Sequence, residues 1–174
     1  MMIARIIGRA AGTGPPNVFT TLARHRSLFW RWLVFAGGLM PGGRLPRAET
    51  ELIILRVAHL CECPYEWDHH ARLGRKAGLT PQDIDGARTA GIGADMGIEV
   101  RGAPRRLAIL RAVDEMHADR RIGDATWATL ASYLDERELI ELCMLVGHYE
   151  MIAMTLNSLG VQIDARDGAH RIRR

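Results

Sequence analysis

The chain has little of several things, and each shortage excludes a class of protein. It has three cysteines in 174 residues, Cys61, Cys63 and Cys143. An odd and low count does not build a secreted disulfide framework, so a reducing cytoplasm is the expected setting. Long apolar runs are missing. The longest, Trp32 to Met40, has nine residues, whereas a bilayer span needs about 20. The N-terminal apolar residues are interrupted by Arg5 and Arg9, so no secretory leader and no membrane association are expected. Lysine is almost absent. Of 23 basic residues only Lys76 is a lysine, and the skew towards arginine fits a GC-rich bacterial genome. Against 20 acidic residues the net charge is +3. That is too small an excess, with no basic stripe, for a nucleic-acid partner. The one basic cluster, His170 to Arg174, is read as a solvated terminus.

What remains is an ordinary globular composition, 48% hydrophobic and 25% charged, in a length that suits one domain with a real core. Strand alternation is scarce and helical periodicity dominates. The pattern predicts helices over about 18–24, 28–36 (capped by Ser27, closed by Gly37-Gly38), 47–60, 64–77, from Thr80-Pro81 onward, 104–117, 125–134, and from Asp135 to near Gly160. Gly91 to Gly102 reads as a loop. Pro46 and Pro64 suit first helical positions, where proline loses no hydrogen bond. Asp135 and Glu138 make a capping-box pattern. The helix over 47–60 is apolar on nearly every face and should be central. Met144, Met151 and Met154 read as core filler. No linker divides the chain. The expectation is one all-α domain of about seven helices, residues 1–174, with a core of about 18–163 and peripheral ends at 1–16 and 164–174.

The chemistry-bearing stretch is Cys61-Glu62-Cys63-Pro64-Tyr65-Glu66-Trp67-Asp68-His69-His70. At about 100° per residue, Glu66 lies near −60° and His70 near −20° from Cys63, so thiol, carboxyl and imidazole share one helix face. Glu66 and His70 are an i, i+4 pair. His69 points about 100° away and should have a different role. Cys63 precedes a proline and is the expected N-cap, where the helix dipole would lower a thiol's pKa; a small buried hydrophobe is the equal reading. If the two helices fold back on one another, Glu51 can stand behind His70 and orient it as a base. A zinc site from Cys61, Cys63, His69 and His70 is not expected, because C-x-C-x5-H-H matches no zinc spacing. His148, in the last helix, reads first as a core histidine and is also a candidate lining residue. Trp30 and Trp32 should face different sides of their helix.

Residues 47–56 (Arg-Ala-Glu-Thr-Glu-Leu-Ile-Ile-Leu-Arg), Tyr65-Glu66-Trp67-Asp68-His69-His70 and Gly78-Leu79-Thr80 resemble the carboxymuconolactone decarboxylase family. So do Ala112 to Asp119, Asp124 to Trp127 and Leu156 to Val161. The resemblance covers most of the chain and implies the all-helical alkyl hydroperoxidase D-like fold. In the peroxidase branch a glutamate, a Cys-x-x-Cys pair and a histidine form the site. Here they match Glu51, Cys63 and His70, with Glu66 in place of the second cysteine and Tyr65 in place of a further histidine. The decarboxylase branch instead has Glu-x-x-x-His, matched by Glu66 and His70.

The resemblance therefore implies cofactor-free acid–base chemistry on a small carboxylated or lactone intermediate of aromatic catabolism. Glu51, Glu66, His70 and Cys63 are the catalytic candidates. Arg56, Tyr65, Trp67 and His148 are the candidates for binding substrate, Arg56 through the substrate carboxylate or, equally, as half of a structural ion pair. The alternatives are a thiol peroxidase using Cys63 and a non-catalytic oligomeric binding protein. No metal or cofactor is implied. Assembly into a homotrimer or homohexamer is.

Overall fold

A computed structural model of the protein describes residues 16–89 and 103–165. The expected loop at 91–102, the N-terminal lead-in and the basic tail lie outside the described residues. Among the described residues there are eight α-helices and no strands. They are α1 (Asn17–Leu22), α2 (Arg26–Leu39), α3 (Arg47–Leu60), α4 (Pro64–Lys76), α5 (Pro81–Thr89), α6 (Ala103–Asp119), α7 (Asp124–Ala131) and α8 (Glu136–Ser158).

Helix α3 is the axis of the molecule. Every residue from Glu49 to Ala58 is buried, including three that carry charge. One side of α3, with Ile53, Ile54 and Val57, packs on Ile109 and Val113 of α6 and on Leu142 and Leu145 of α8. The other side, with Leu52 and Leu55, packs on Ala71 of α4 and on Leu79, Ile84 and Ala87. Full burial of one such side chain is worth about 1.5–3 kcal/mol, so the all-round apolar pattern demands neighbours on every face. Helices α4, α5, α6 and α8 supply them.

Several helix ends follow their local chemistry. Asp135 and Glu138 form the reciprocal capping box of α8. Cys63 is the N-cap of α4, with Pro64 in the first turn. Gly78, at φ +93°, closes α4 in a conformation that suits glycine. Other expectations shift. Helix α2 is capped by His25 rather than Ser27 and runs through Gly37-Gly38 to Leu39. Beyond its end, the Glu141 carboxylate on α8 accepts from the N–H groups of Arg44 (2.6 Å) and Leu45 (3.1 Å). Helix α7 is capped at Gly123 and ends at Ala131.

Two surface features also correct the sequence reading. Met144, Met151 and Met154 are exposed rather than core filler, because the inward stripe of α8 is already filled by Leu142, Leu145 and Val146. Asp164, expected to be peripheral, is held in place. Its Oδ1 accepts from Asn17 N (2.7 Å) and its Oδ2 from the Tyr65 hydroxyl (3.0 Å). Helix α8 is long and apolar enough to cross a membrane by composition, yet half of its apolar window is buried against other helices, as in a core helix.

Candidate active site

Helices α3 and α4 are antiparallel neighbours joined by the turn at Cys61–Cys63, and that turn sets Glu51 against His70. His70 Nδ1 lies 2.7 Å from Glu51 Oε2, and His70 Nε2 lies 3.1 Å from Glu66 Oε2. The imidazole is therefore bracketed by two carboxylates. The other oxygen of Glu51, Oε1, lies 2.6 Å from the Arg47 guanidinium one helical turn back. It forms an ion pair there without an aligned hydrogen bond. Glu51, Glu66 and His70 are all buried, at 0%, 4% and 3% exposure.

Burial alone would strip His70 of its charge, but the hydrogen bonds and fields of Glu51 and Glu66 win and raise its pKa to about 9. His69 behaves oppositely. Burial and the neighbouring charge of His70 lower it to about 4. Two adjacent histidines thus take opposite states, as their different helix faces require.

The expectation for Cys63 is reversed. Its thiol is pushed up from the ordinary value, because burial outweighs the N–H groups of Glu66 and Tyr65 at the helix start, and the Glu66 carboxylate adds to the rise. Cys61 is pushed up to about 11 by burial and by Glu150.

Cys63 reaches a groove of about 670 Å³ bordered also by His59, Pro64, Trp67, Asp68 and Arg88. The Arg88 guanidinium stands 3.7 Å over the Trp67 ring. Glu51, Glu66 and His70 do not line this groove, so the relay lies behind its floor. On the opposite side, a chain of rings leads away from His70. Tyr149 meets His70 edge-on at 5.1 Å, His148 meets Tyr149 at 5.1 Å, and Trp32 stacks on His148 at 6.1 Å. The buried Nδ1 of His148 has no hydrogen-bond partner.

The structure thus unites Glu51, Glu66 and His70, and sets Cys63 and Trp67 on the adjoining groove. It takes three residues elsewhere: His148 is buried in the chain of rings and does not line the groove, and Arg56 and Tyr65 are engaged in the core. Arg56 is not a free cation for substrate: its Nε donates to Asp114 (2.6 Å), and its NH1 donates to the carbonyls of Ala87 (3.1 Å) and Arg88 (3.2 Å). Arg56 lies five residues after Glu51, about 140° around the helix, so it faces away from His70. Tyr65 is a structural tie, accepting from Val18 N (3.1 Å) and donating to Asp164. Sequence reasoning missed Arg47, which its i, i+4 spacing to Glu51 could have revealed. It also missed Arg88, for which the sequence carries no signal.

Residues 26–115 match the family model for the carboxymuconolactone decarboxylase family, which is more than half of the chain. The chain belongs to that family. No curated protein sequence matches it. Among solved structures, an uncharacterized peroxidase-related protein from Silicibacter sp. TM1040 superposes with a TM-score of 0.78 at 18% identity, over 97% of this chain and 86% of that one. An alkylhydroperoxidase AhpD core protein from Ralstonia eutropha JMP134 gives 0.77 at 20%, over 90% and 80%. The debrominase Bmp8 gives 0.73 at 14%, over 88% and 80%. At these identities the likeness shows the shared AhpD-like fold, and the fold alone.

Proposed function

We propose that this family member is a cofactor-free acid–base enzyme, a lyase of decarboxylase type, acting on a small carboxylated or lactone intermediate. The observation that carries the reading is the imidazole of His70 held between Glu51 at 2.7 Å and Glu66 at 3.1 Å, with a carboxylate where a dithiol enzyme needs its second cysteine. Glu51 fixes the ring through Nδ1, which leaves Nε2 to exchange a proton with Glu66. Glu66 follows Cys63 by one helical turn on the same face, and because none of the three relay residues lines the groove, the proton reaches the substrate through a bridging water. In the groove Arg88, rather than Arg56, is the cation for the substrate carboxylate or lactone oxygen. In the reaction the C–CO2 bond breaks, its electron pair enters the conjugated lactone carbonyl, and the carbon left behind takes a proton from the relay.

A second reading has its own observation, the place of Cys63 on the groove lining. In it the sulfur attacks a peroxide, the O–O bond breaks, an alcohol leaves and a sulfenic acid forms. An external thiol must then reduce it, since Glu66 cannot resolve it. The named peroxidase-related neighbours give this reading equal family standing. We further propose that the protein works in the cytoplasm as a homotrimer or homohexamer. The exposed apolar side chains Leu28, Trp30, Val34, Ile140, Met144 and Met154 support assembly.

The test is turnover of a carboxylated lactone by the full chain and by His70→Ala and Glu66→Gln. His70→Ala should lose about 10²-fold or more, within the usual contribution of general acid–base groups, while circular dichroism stays helical. Full activity in a folded His70→Ala protein overturns the proposal. Peroxide consumption with a dithiol reductant, lost in Cys63→Ser, would instead establish the second reading.

A further inference from the structure

A second cluster of chemically capable side chains lies outside this site, where three elements end or cross. Cys61 is the C-cap residue of α3, His117 sits in the last turn of α6, and Glu150 lies midway along α8. The Cys61 sulfur, one ring nitrogen of His117 and one carboxylate oxygen of Glu150 all lie within 4.8 Å of one another. The first two residues are delivered by turns of similar form. Helices α3 and α6 are each followed by a left-handed residue other than glycine, Glu62 at φ 48° and Arg120 at φ 61°. The arrangement is braced. Asn157, two helical turns after Glu150, donates from Nδ2 to the Cys61 carbonyl at 2.9 Å, tying the turn to α8. Arg120 reaches Glu150 Oε2 at 3.3 Å. His117 Nδ1 lies 2.8 Å from Glu150 Oε1.

We propose that Cys61, His117 and Glu150 form a binding site for a zinc-class divalent cation, with a fourth position left to water or a ligand. The donor set is the main argument. One thiolate, one imidazole and one carboxylate are a borderline-soft combination that suits zinc and excludes calcium and magnesium. A tetrahedral zinc centre separates its donor atoms by roughly 3.3–3.8 Å, so donors up to 4.8 Å apart must close in and the His117–Glu150 pair, at 2.8 Å, must open. Charge also balances. A thiolate, a carboxylate and a neutral imidazole offset a dication, so the ion and its three ligands are together neutral beside the Arg120 cation. On binding, the thiol proton is released to solvent as the sulfur–metal bond forms, and the proton between His117 and Glu150 is displaced if the metal takes Nδ1. Arg120 then stands outside the carboxylate and orients it. The fold reaches this set through residues separated by 56 and 33 positions, Cys61 to His117 to Glu150. A reading by local cysteine–histidine spacing pairs Cys61 with Cys63, His69 and His70 and passes over it.

The test uses the full chain, stripped with chelator and titrated with Zn2+ in competition with a chromophoric chelator. Binding of about one ion per chain with Kd under about 1 µM is expected. The Co2+ form should show a thiolate-to-metal charge-transfer band in the near ultraviolet. Cys61→Ser and His117→Ala should each weaken binding at least about tenfold, and Cys61→Ser should remove the band. Cys143→Ser, a change at another half-buried thiol, should leave both readouts unchanged. Wild-type Kd above about 100 µM, a Co2+ form without the thiolate band, or equal weakening by Cys143→Ser overturns the proposal. Helical circular dichroism of the variants separates lost ligation from lost fold.

Discussion

Helix α3 carries two buried ionic clusters barely a turn apart, and they are built for different work. At Arg56 the pairing is complete. The guanidinium is held by Asp114 and by two backbone carbonyls at the end of α5. Arginine does not give up its proton in proteins, so this cluster can fix geometry and cannot move charge. At Glu51 the central group is an imidazole between two carboxylates, and its proton has two places to go. Burial is the same in both clusters. What separates architecture from chemistry is whether the group at the centre titrates.

The largest effect should come from breaking the architectural cluster. Arg56→Ala leaves Asp114 buried without its partner, which costs about 3–5 kcal/mol and lowers the melting temperature by roughly 10 °C for a chain of this size. Burial already raises the Asp114 carboxyl above its ordinary range despite the arginine, so the pair is costly to keep and more costly to halve. Replacing both, as Arg56→Met with Asp114→Leu, should therefore recover most of the loss. A double variant as unstable as the single would mean that the cluster contributes more than mutual compensation.

The chemical cluster should reveal itself through pH. His70 titrates near 9 in the fold and near about 6.5 in the unfolded chain. Its folded pKa is raised, so its stabilisation is fully present below about pH 6.5 and is lost as pH rises through about 9. A loss on the order of 1–3 kcal/mol is expected across that window, read from urea midpoints. The loss should vanish in His70→Asn and persist in the Arg56/Asp114 double variant. A flat profile in the wild type would erase the distinction between the two clusters.

The smallest effect should be at Arg47, whose side chain is 41% exposed while its partner Glu51 is buried. Solvent screening limits Arg47→Ala to about 1 kcal/mol or less. High salt should shrink the difference further, whereas the Arg56 variant should be insensitive to salt.

The legible part of this molecule was the part encoded locally. Helix α3, the α4 start at Cys63-Pro64 and the Asp135 capping box each depend on residues within one or two turns. The Glu66–His70 face follows from the helical period alone. Glu51 behind His70 was inferable because the turn between α3 and α4 is so short that the helices must fold back. For Arg56 the sequence leaves substrate cation and structural ion pair equally open, because position on a helix gives an angle but not the neighbour at that angle, and Asp114 lies 58 residues away. The Cys63 thiol stays open between a reactive N-cap and a buried hydrophobe for a related reason. The helix-start effect is visible in sequence, and the burial that outweighs it is a property of the assembled core.

The tie made by Asp164 has a practical meaning for anyone handling this protein. One carboxylate binds the first turn of α1 and the hydroxyl of Tyr65, joining positions 147 residues apart to the residue immediately before Glu66. Both far ends of the described chain are thus stitched to the helix that carries the proton relay. Trimming the chain past Asn17 or Asp164 is therefore a perturbation of the site helix itself. Activity measured on such a variant should be compared with the full chain before any residue is held responsible for a loss.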